Sequence, residues 1–257
     1  MAQRRLEDRV AVVTGSTSGI GAAIARAFAA EGARVVVSGR RAARGEEVAA
    51  AIRGAGGQAV FQQTDVRQPE DCRRLCRRTE EELGGLDILV NNAAIFPRAS
   101  LAETTVEFWD AIFEINVRGA FLCSQAAVPL MRARGGGAIV NIGSGHAFNC
   151  WERLFAYGCS KGALYAMTMH MARALAPDHI RVNWITVGWV LTEKELDIQL
   201  GDGHDAEWLK AHQAHLPMGQ YNTVDDIAAA CVYLASDDAQ RLTAADLNLT
   251  AALCIRV

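Results

Sequence analysis

Tyr157 and Lys161 lie four positions apart in the run Tyr157-Gly158-Cys159-Ser160-Lys161. On a helix that spacing places two side chains next to each other on one face. A free tyrosine has a pKa of about 10 and is a poor base at neutral pH. A neighbouring positive charge stabilises the phenolate and brings that value down, so the pair is suited to moving a proton to or from a substrate oxygen. The same spacing also arises between ordinary surface neighbours, and the pair gains meaning only from what accompanies it.

A second group is Thr14-Gly15-Ser16-Thr17-Ser18-Gly19-Ile20-Gly21, which follows an apolar strand-like run and opens an Ala-rich helical stretch. Gly15, Gly19 and Gly21 permit a tight turn in which backbone amides approach a phosphate, and a helix N-terminus adds unpaired N–H groups and a positive dipole end. A purely structural turn is the competing reading. The first two glycines are four apart, unlike the two-residue separation of the common dinucleotide fingerprint. The next strand-like run ends Ser38-Gly39-Arg40-Arg41. Dinucleotide folds choose their cofactor near this point: a carboxylate pairs with the ribose hydroxyls of NAD, and a basic group with the extra phosphate of NADP. No carboxylate stands here, and the guanidinium of Arg40 offers a planar fork for phosphate oxygens. NADP(H) is therefore favoured, with NAD(H) left open. The alternative is that Arg40 and Arg41 form only a solvated helix entrance.

The elements that must position these groups alternate. Residues 10–14, 34–38, 59–64, 86–91, 138–144 and 181–185 are short apolar runs, most of them rich in Val and Ile. Such runs suit strands buried on both faces of a parallel sheet, and helical segments lie between them. The alternation predicts an α/β fold: a Rossmann-like, doubly wound parallel sheet in a three-layer α/β/α arrangement, all one domain over residues 1–257. Residues 192–221 are the least regular stretch, with Gly201, Gly203 and several histidines. They read as a lid over the carboxyl ends of the strands, where ligands bind in such sheets.

A formal net charge of −3 gives no basic field for nucleic acid or an anionic membrane. No apolar run approaches the roughly 20 residues needed to span a bilayer, and the first residues lack a signal-peptide core, so a cytoplasmic protein is expected. The seven cysteines show no disulfide spacing, and Cys72 and Cys76 read as structural thiols.

With these features in place, the chain resembles the short-chain dehydrogenase/reductase family, in its compact single-domain branch, over nearly its whole length. The match is carried by the glycine turn, Asp65-Val66, Asn91-Asn92-Ala93-Ala94, Asn116, Ser144, Tyr157 with Lys161, and Val182-Asn183 through Thr192. The resemblance implies hydride transfer between a nicotinamide cofactor and an alcohol or carbonyl, with Tyr157 as acid/base. It implies that Ser144, at the end of the fifth strand, positions the substrate oxygen, and that Lys161 holds the nicotinamide ribose and depresses the tyrosine pKa. Asn116, within a long helix over residues 105–131, would anchor a proton-relaying water. Gly15, Ser18, Gly19, Ile20 and Gly21 would meet the cofactor phosphates, Asp65 and Val66 the adenine, and Asn92 with Ala93 the adenosine ribose. Val190 and Thr192 would hold the carboxamide. A homo-oligomer, tetramer or dimer, is implied as well.

Departures from the family pattern are Ala94 and Val187, where Gly and Pro are usual, and Leu249-Thr250-Ala251-Ala252, where an Asp-Gly-Gly ending is usual. Phe96, residues 146–155 and Trp189 onward are candidate pocket segments for a sugar, polyol or cyclic ketone. Trp151, Phe155, Trp189 and Trp208 could form an apolar wall or belong to the core. His204, Asp205, His212 and His215 have helical metal-ligand spacing, but no metal site is expected because the implied chemistry needs none. A non-catalytic dinucleotide sensor or scaffold is the alternative to an enzyme, and the complete Tyr–Lys–Ser–Asn set argues against it. A nucleotide-sugar epimerase or dehydratase of the longer branch is disfavoured by length and glycine spacing.

Overall fold

The computed structural model describes residues 4–254. Seven strands form one parallel sheet: β1 (Val10–Thr14), β2 (Arg34–Gly39), β3 (Gln58–Gln63), β4 (Ile88–Asn91), β5 (Gly137–Ile142), β6 (Ile180–Val187) and β7 (Asp246–Leu249). Their spatial order is β3-β2-β1-β4-β5-β6-β7. The chain winds outward from β1 in one direction and then, from β4, in the other. A crevice therefore opens where β1 and β4 part at their carboxyl ends.

Alternation along each strand builds two cores. Ala11, Val13, Val35, Val37, Ile88 and Val90 face one layer, while Val12, Val36, Leu89 and Ile139 face the other. The first layer holds α1 (Gly19–Ala30), α2 (Ala42–Gly54) and α9 (Val224–Ala235), through Ile24, Phe28, Val48, Ile52, Ile227 and Leu234. The second is built on α3 (Pro69–Leu83), α5 (Ala120–Ala133) and α6 (Phe155–Leu175), with Leu75, Cys76, Cys123, Met131 and Ala172. Cys72 and Cys76 are both buried in this layer, so their spacing serves packing. No helix among the described residues is long and apolar enough to cross a membrane.

Three sequence expectations change in detail. The long helix over 105–131 is interrupted: α4 (Val106–Phe113) leads into a π-helical segment, Glu114–Gly119, before α5 begins. Residues 192–221 are not irregular, for they contain α7 (Glu193–Gly201) and α8 (Ala206–Gln213). Their starts are set by Thr192 and Asp205, whose side chains accept the backbone N–H of Glu195 and Trp208 respectively. Gly203, with φ +86°, then breaks the chain between them. The fifth strand stops at Ile142, so Ser144 caps a 3-10 turn, Gly145–Ala147, instead of ending the strand.

The departures also acquire a geometry. Ala94 is not among the residues with positive φ, so its position does not demand glycine. Val187 closes β6 in register with Leu249. Ala251 and Ala252 take φ +48° and +66°, a left-handed conformation in which an L side chain is crowded.

Candidate active site

One cavity of about 1190 Å³ runs along the carboxyl ends of the strands. It starts at Arg40, Arg41 and Arg44, passes over the glycine turn, and ends among Ser144, Tyr157 and Trp189. Every predicted site residue except Asn116 lines it, from Gly15 and Ser18 through Asp65, Val66, Asn92, Ala93 and Lys161 to Val190 and Thr192.

At the glycine turn, β1 hands over to α1. Gly15 has φ +65°, and a Cβ there would stand 2.7 Å from Ala93 Cα, so only glycine lets the turn lie against the segment after β4. Asn92 fastens the same junction, its Nδ2 donating to the carbonyls of Thr14 at 2.9 Å and Gly15 at 3.1 Å. Asn92 thus shapes the turn directly. Arg41 is tied to the turn as well, through Thr17 at 2.9 Å and Ser18 at 2.7 Å. Arg40 is exposed at the mouth, its side chain without a hydrogen bond or ion pair among the described residues; Arg44 reaches Glu193 at 3.5 Å. Asp65 is held by Arg67, which keeps its carboxyl below the usual carboxylate range.

The deep end is assembled from β5, the turn after it, and α6. Gly143 is needed for this descent, since a Cβ would meet the buried Trp184 ring at 2.0 Å. Ser144 Oγ accepts the backbone N–H of His146 at 3.2 Å and lies near the Tyr157 hydroxyl. Burial raises the Tyr157 pKa to about 12, and the Ser144 contact pulls it partly back. Lys161 Nζ donates to the Ile142 carbonyl at 2.7 Å and sits 5.7 Å from the centre of the Tyr157 ring. Desolvation lowers the lysine to about 8. In the protein alone burial therefore dominates at the tyrosine, in the direction opposite to the depression expected from Lys161.

Asn116 is buried in the π-helical segment, behind the cavity wall. Its amide grips the backbone of Ile95, accepting from the N–H and donating to the carbonyl, each at 2.9 Å, and also donates to Ser160 Oγ at 3.0 Å. It thereby fixes the β4 exit against α6, one residue from Lys161.

The outer wall comes from α7, α8 and the segment after β4. Trp151, Trp189 and Trp208 line the cavity, whereas Phe155 packs on Trp109 with ring centres 5.8 Å apart and is not part of the wall. Its place in the first turn of α6 turns it toward α4. His204, Trp208 and His212 stack in series, with centres 3.7 and 4.8 Å apart, so the histidines serve an aromatic stack. No group of three potential metal ligands occurs among the described residues.

One cluster leaves no mark in residue spacing. Arg98, with its side chain only 10% exposed, pairs with Glu195 at 3.4 Å and with Asp202, and it lies 5.0 Å from the centre of the Trp151 ring. Its partners lie about a hundred positions away, beyond the reach of local patterning.

Residues 15–250 match the family model described as enoyl-(acyl carrier protein) reductase. Dehydrogenase/reductase SDR family member 4 of Sus scrofa is 36% identical, over 94% of this chain and 85% of its own length. The chain belongs to the short-chain dehydrogenase/reductase family. It is an oxidoreductase, in a family that acts on CH–OH groups. The NADP-dependent (R)-specific alcohol dehydrogenase of Lentilactobacillus kefiri is 37% identical, with 94% and 95% of the two chains covered. A crystal structure of a gluconate 5-dehydrogenase from Burkholderia cenocepacia, in complex with NADP and tartrate, superposes with a TM-score of 0.89 at 30% identity, covering 98% and 97%. Within this short-chain dehydrogenase/reductase the cavity fits a dinucleotide. Its volume exceeds that of most single-ligand pockets, and it joins a phosphate-compatible turn to a Ser–Tyr–Lys cluster.

Proposed function

We propose that this protein is an NADP(H)-preferring alcohol dehydrogenase or carbonyl reductase in which Tyr157 exchanges a proton with the substrate oxygen. The observation that carries the reading is the convergence of Ser144, Tyr157 and Lys161 at one end of the cavity, with Arg40, whose side chain makes no ion pair among the described residues, at the other. The bound nicotinamide supplies or accepts the hydride. Gly15, Ser18, Gly19, Ile20 and Gly21 would hold the pyrophosphate, Asp65 and Val66 the adenine, Asn92 and Ala93 the ribose, and Val190 with Thr192 the carboxamide. Arg40 would take the additional phosphate.

In carbonyl reduction Tyr157 Oη gives its proton to the oxygen, and in alcohol oxidation it receives one. Ser144 holds that oxygen and the tyrosine together, its hydroxyl oriented by the His146 amide. Lys161 spends one N–H on Ile142, which leaves its others for the ribose and for the tyrosine. Asn116 has its amide committed to Ile95 and Ser160, so the relay water falls to its main-chain carbonyl, in the wider π-helical turn. The segment 192–221 acts as the lid. A cytoplasmic homo-oligomer fits this reading, and Phe121, 45% exposed on α5, offers an apolar contact.

A second reading follows the description of the matched family model: reduction of a C=C bond conjugated to a thioester carbonyl. The charged side chains of Arg98, Glu195 and Asp202 along the wall are a poor channel for an acyl chain. The test is nicotinamide absorbance with sugars, polyols, cyclic alcohols and ketones, beside a crotonyl thioester, in both directions with NAD(H) and NADP(H). Turnover of an alcohol or ketone, lost in Tyr157→Phe, supports the proposal. Turnover of the thioester alone replaces it. Cofactor binding with silence on every compound favours a non-catalytic sensor.

A further inference from the structure

Glu195, in the first turn of α7, has its two carboxylate oxygens in unequal surroundings. Oε1 accepts from three groups: Gln199 Nε2 at 2.6 Å, Trp189 Nε1 at 3.0 Å and Arg98 Nη2 at 3.4 Å. Oε2 makes no hydrogen bond among the described residues. The side chain is 13% exposed and lines the cavity. An ionised carboxylate has about four lone-pair sites, so a half-used one facing a cavity is an acceptor held ready. Its orientation is fixed by donors from three different segments, which removes most of the entropy cost of binding through it.

The surroundings indicate what it accepts from. Arg98 stands against Glu195 and offsets its charge, so the site discriminates little in favour of a cationic amine. A second carboxylate, Asp202, shares the same arginine and disfavours an acidic substrate. Beside them the indole of Trp189 lines the cavity and offers apolar surface to the C–H face of a ring, while Trp208 is stacked between His204 and His212. Glu195 and Tyr157 line the same cavity, and from Arg98, the partner of Glu195, the Trp151 ring at 5.0 Å leads to His146 and so to Tyr157, with ring centres 6.2 and 6.3 Å apart.

We propose that Glu195 is a specificity-determining residue whose Oε2 accepts a hydrogen bond from a second hydroxyl of the substrate, which makes the substrate a neutral polyhydroxylated alcohol or the matching hydroxy-ketone. This rests on the reading of the cavity as an alcohol/carbonyl site. It deepens that reading by separating polyols from simple alcohols and from acids. A site built to receive a hydroxyl rejects the analogue that lacks one far more strongly than an apolar pocket rejects a missing methylene.

The probes are cyclohexanol, the isomeric cyclohexanediols and their monomethyl ethers, run with NADP+ on the wild-type enzyme and on Glu195→Gln. At least one diol is expected to exceed both cyclohexanol and its own ether in kcat/KM by about tenfold or more, the scale of one charged hydrogen bond. Glutamine keeps an oxygen for the three donors and turns an amide N–H toward the cavity, from which hydroxyl and ether oxygens both accept, so the diol-over-ether ratio is expected to fall toward one. Equal kcat/KM for diol and ether in the wild type overturns the proposal. So does a loss in Glu195→Gln that is the same for every probe, because that is what a purely structural role gives. Tryptophan fluorescence, with Trp189 bonded to Glu195, supplies the same comparison as binding in the presence of NADP+. Diol binding no tighter than ether binding overturns the proposal even where nothing turns over. Selective diol binding without hydride transfer leaves it standing and counts against the proposed role of Tyr157 instead.

Discussion

The ammonium of Lys161 lies 5.7 Å from the centre of the Tyr157 ring, and the lysine is anchored on the far side by the Ile142 carbonyl. Two groups whose ordinary charged states are both opposed by burial share one wall, the tyrosine pushed up to about 12 and the lysine down to about 8. Tyr157→Phe removes the proton and little volume. Turnover is expected to fall by about a thousandfold or more, within the range set by loss of an acid/base group, while NADPH affinity stays within a factor of a few. Stopped-flow hydride transfer and fluorescence titration read the two quantities separately.

Tyr157 must be ionised to take a proton from an alcohol, so oxidation is expected to rise with pH. Carbonyl reduction uses the protonated form and declines only on the alkaline side. The Ser144 hydroxyl pulls the tyrosine downward, so removing it in Ser144→Ala shifts the rise of oxidation to higher pH. A pH profile of kcat/KM that keeps its position in the variant contradicts this assignment.

Arg40 faces the cavity mouth, where no carboxylate stands at the end of β2. Arg40→Ala is expected to weaken NADPH by roughly ten- to a hundredfold, the scale of a charged hydrogen bond, with NADH nearly unchanged. Isothermal titration with both cofactors decides it, and equal losses remove Arg40 from the phosphate site. Arg41→Ala has a different expected signature: the glycine turn loses the tie to Thr17 and Ser18, so both cofactors weaken together.

Ala252 sits at φ +66° without the freedom of glycine. Ala252→Gly is expected to stabilise the fold by about 1 kcal/mol, since the left-handed conformation costs an L residue that much or more. For a chain of this size that amounts to a rise of roughly 2–4 °C in Tm. A calorimetric scan showing a lower Tm would contradict the assignment of strain.

Arg98→Met leaves Glu195 and Asp202 without their shared cation. Amide hydrogen exchange across α7 is expected to quicken while β1 and β5 keep their protection. Uniform acceleration over the whole sheet would mean that Arg98 serves global stability and not the wall.

Much of this was legible in the residues themselves. Apolar runs buried on both faces announce strands, so β1 is placed to the residue and β2 to β6 within two, while β7, with its alternation of Asp246, Leu247, Asn248 and Leu249, is not among those runs. Tyr157 and Lys161 could be paired because helical spacing is local. The Ser144 turn was harder, since Gly143 reads like any strand-ending glycine until Trp184 is seen beneath it. The π-helical segment around Asn116 has no pattern of its own within an apolar helix. Phe155 shows the limit of counting aromatics: one helix turn decides whether a ring faces the cavity or Trp109. Arg98 and Glu195 meet only through the tertiary fold, and no short-range rule connects them.

Val190 pairs with Asn222 in an isolated parallel bridge, Asn222 donates its amide to Leu249, and Gly188 donates its N–H to the same carbonyl. The thirty or so residues carrying α7 and α8 therefore leave and rejoin the sheet through a single neck. Lengthening, shortening or exchanging the part of that excursion beyond Thr192, which itself lies against Gly19, shifts no strand register and leaves the glycine turn in place. Under the proposed function, substrate preference and cofactor preference are thus separable traits in this chain, open to independent change by descent or by grafting.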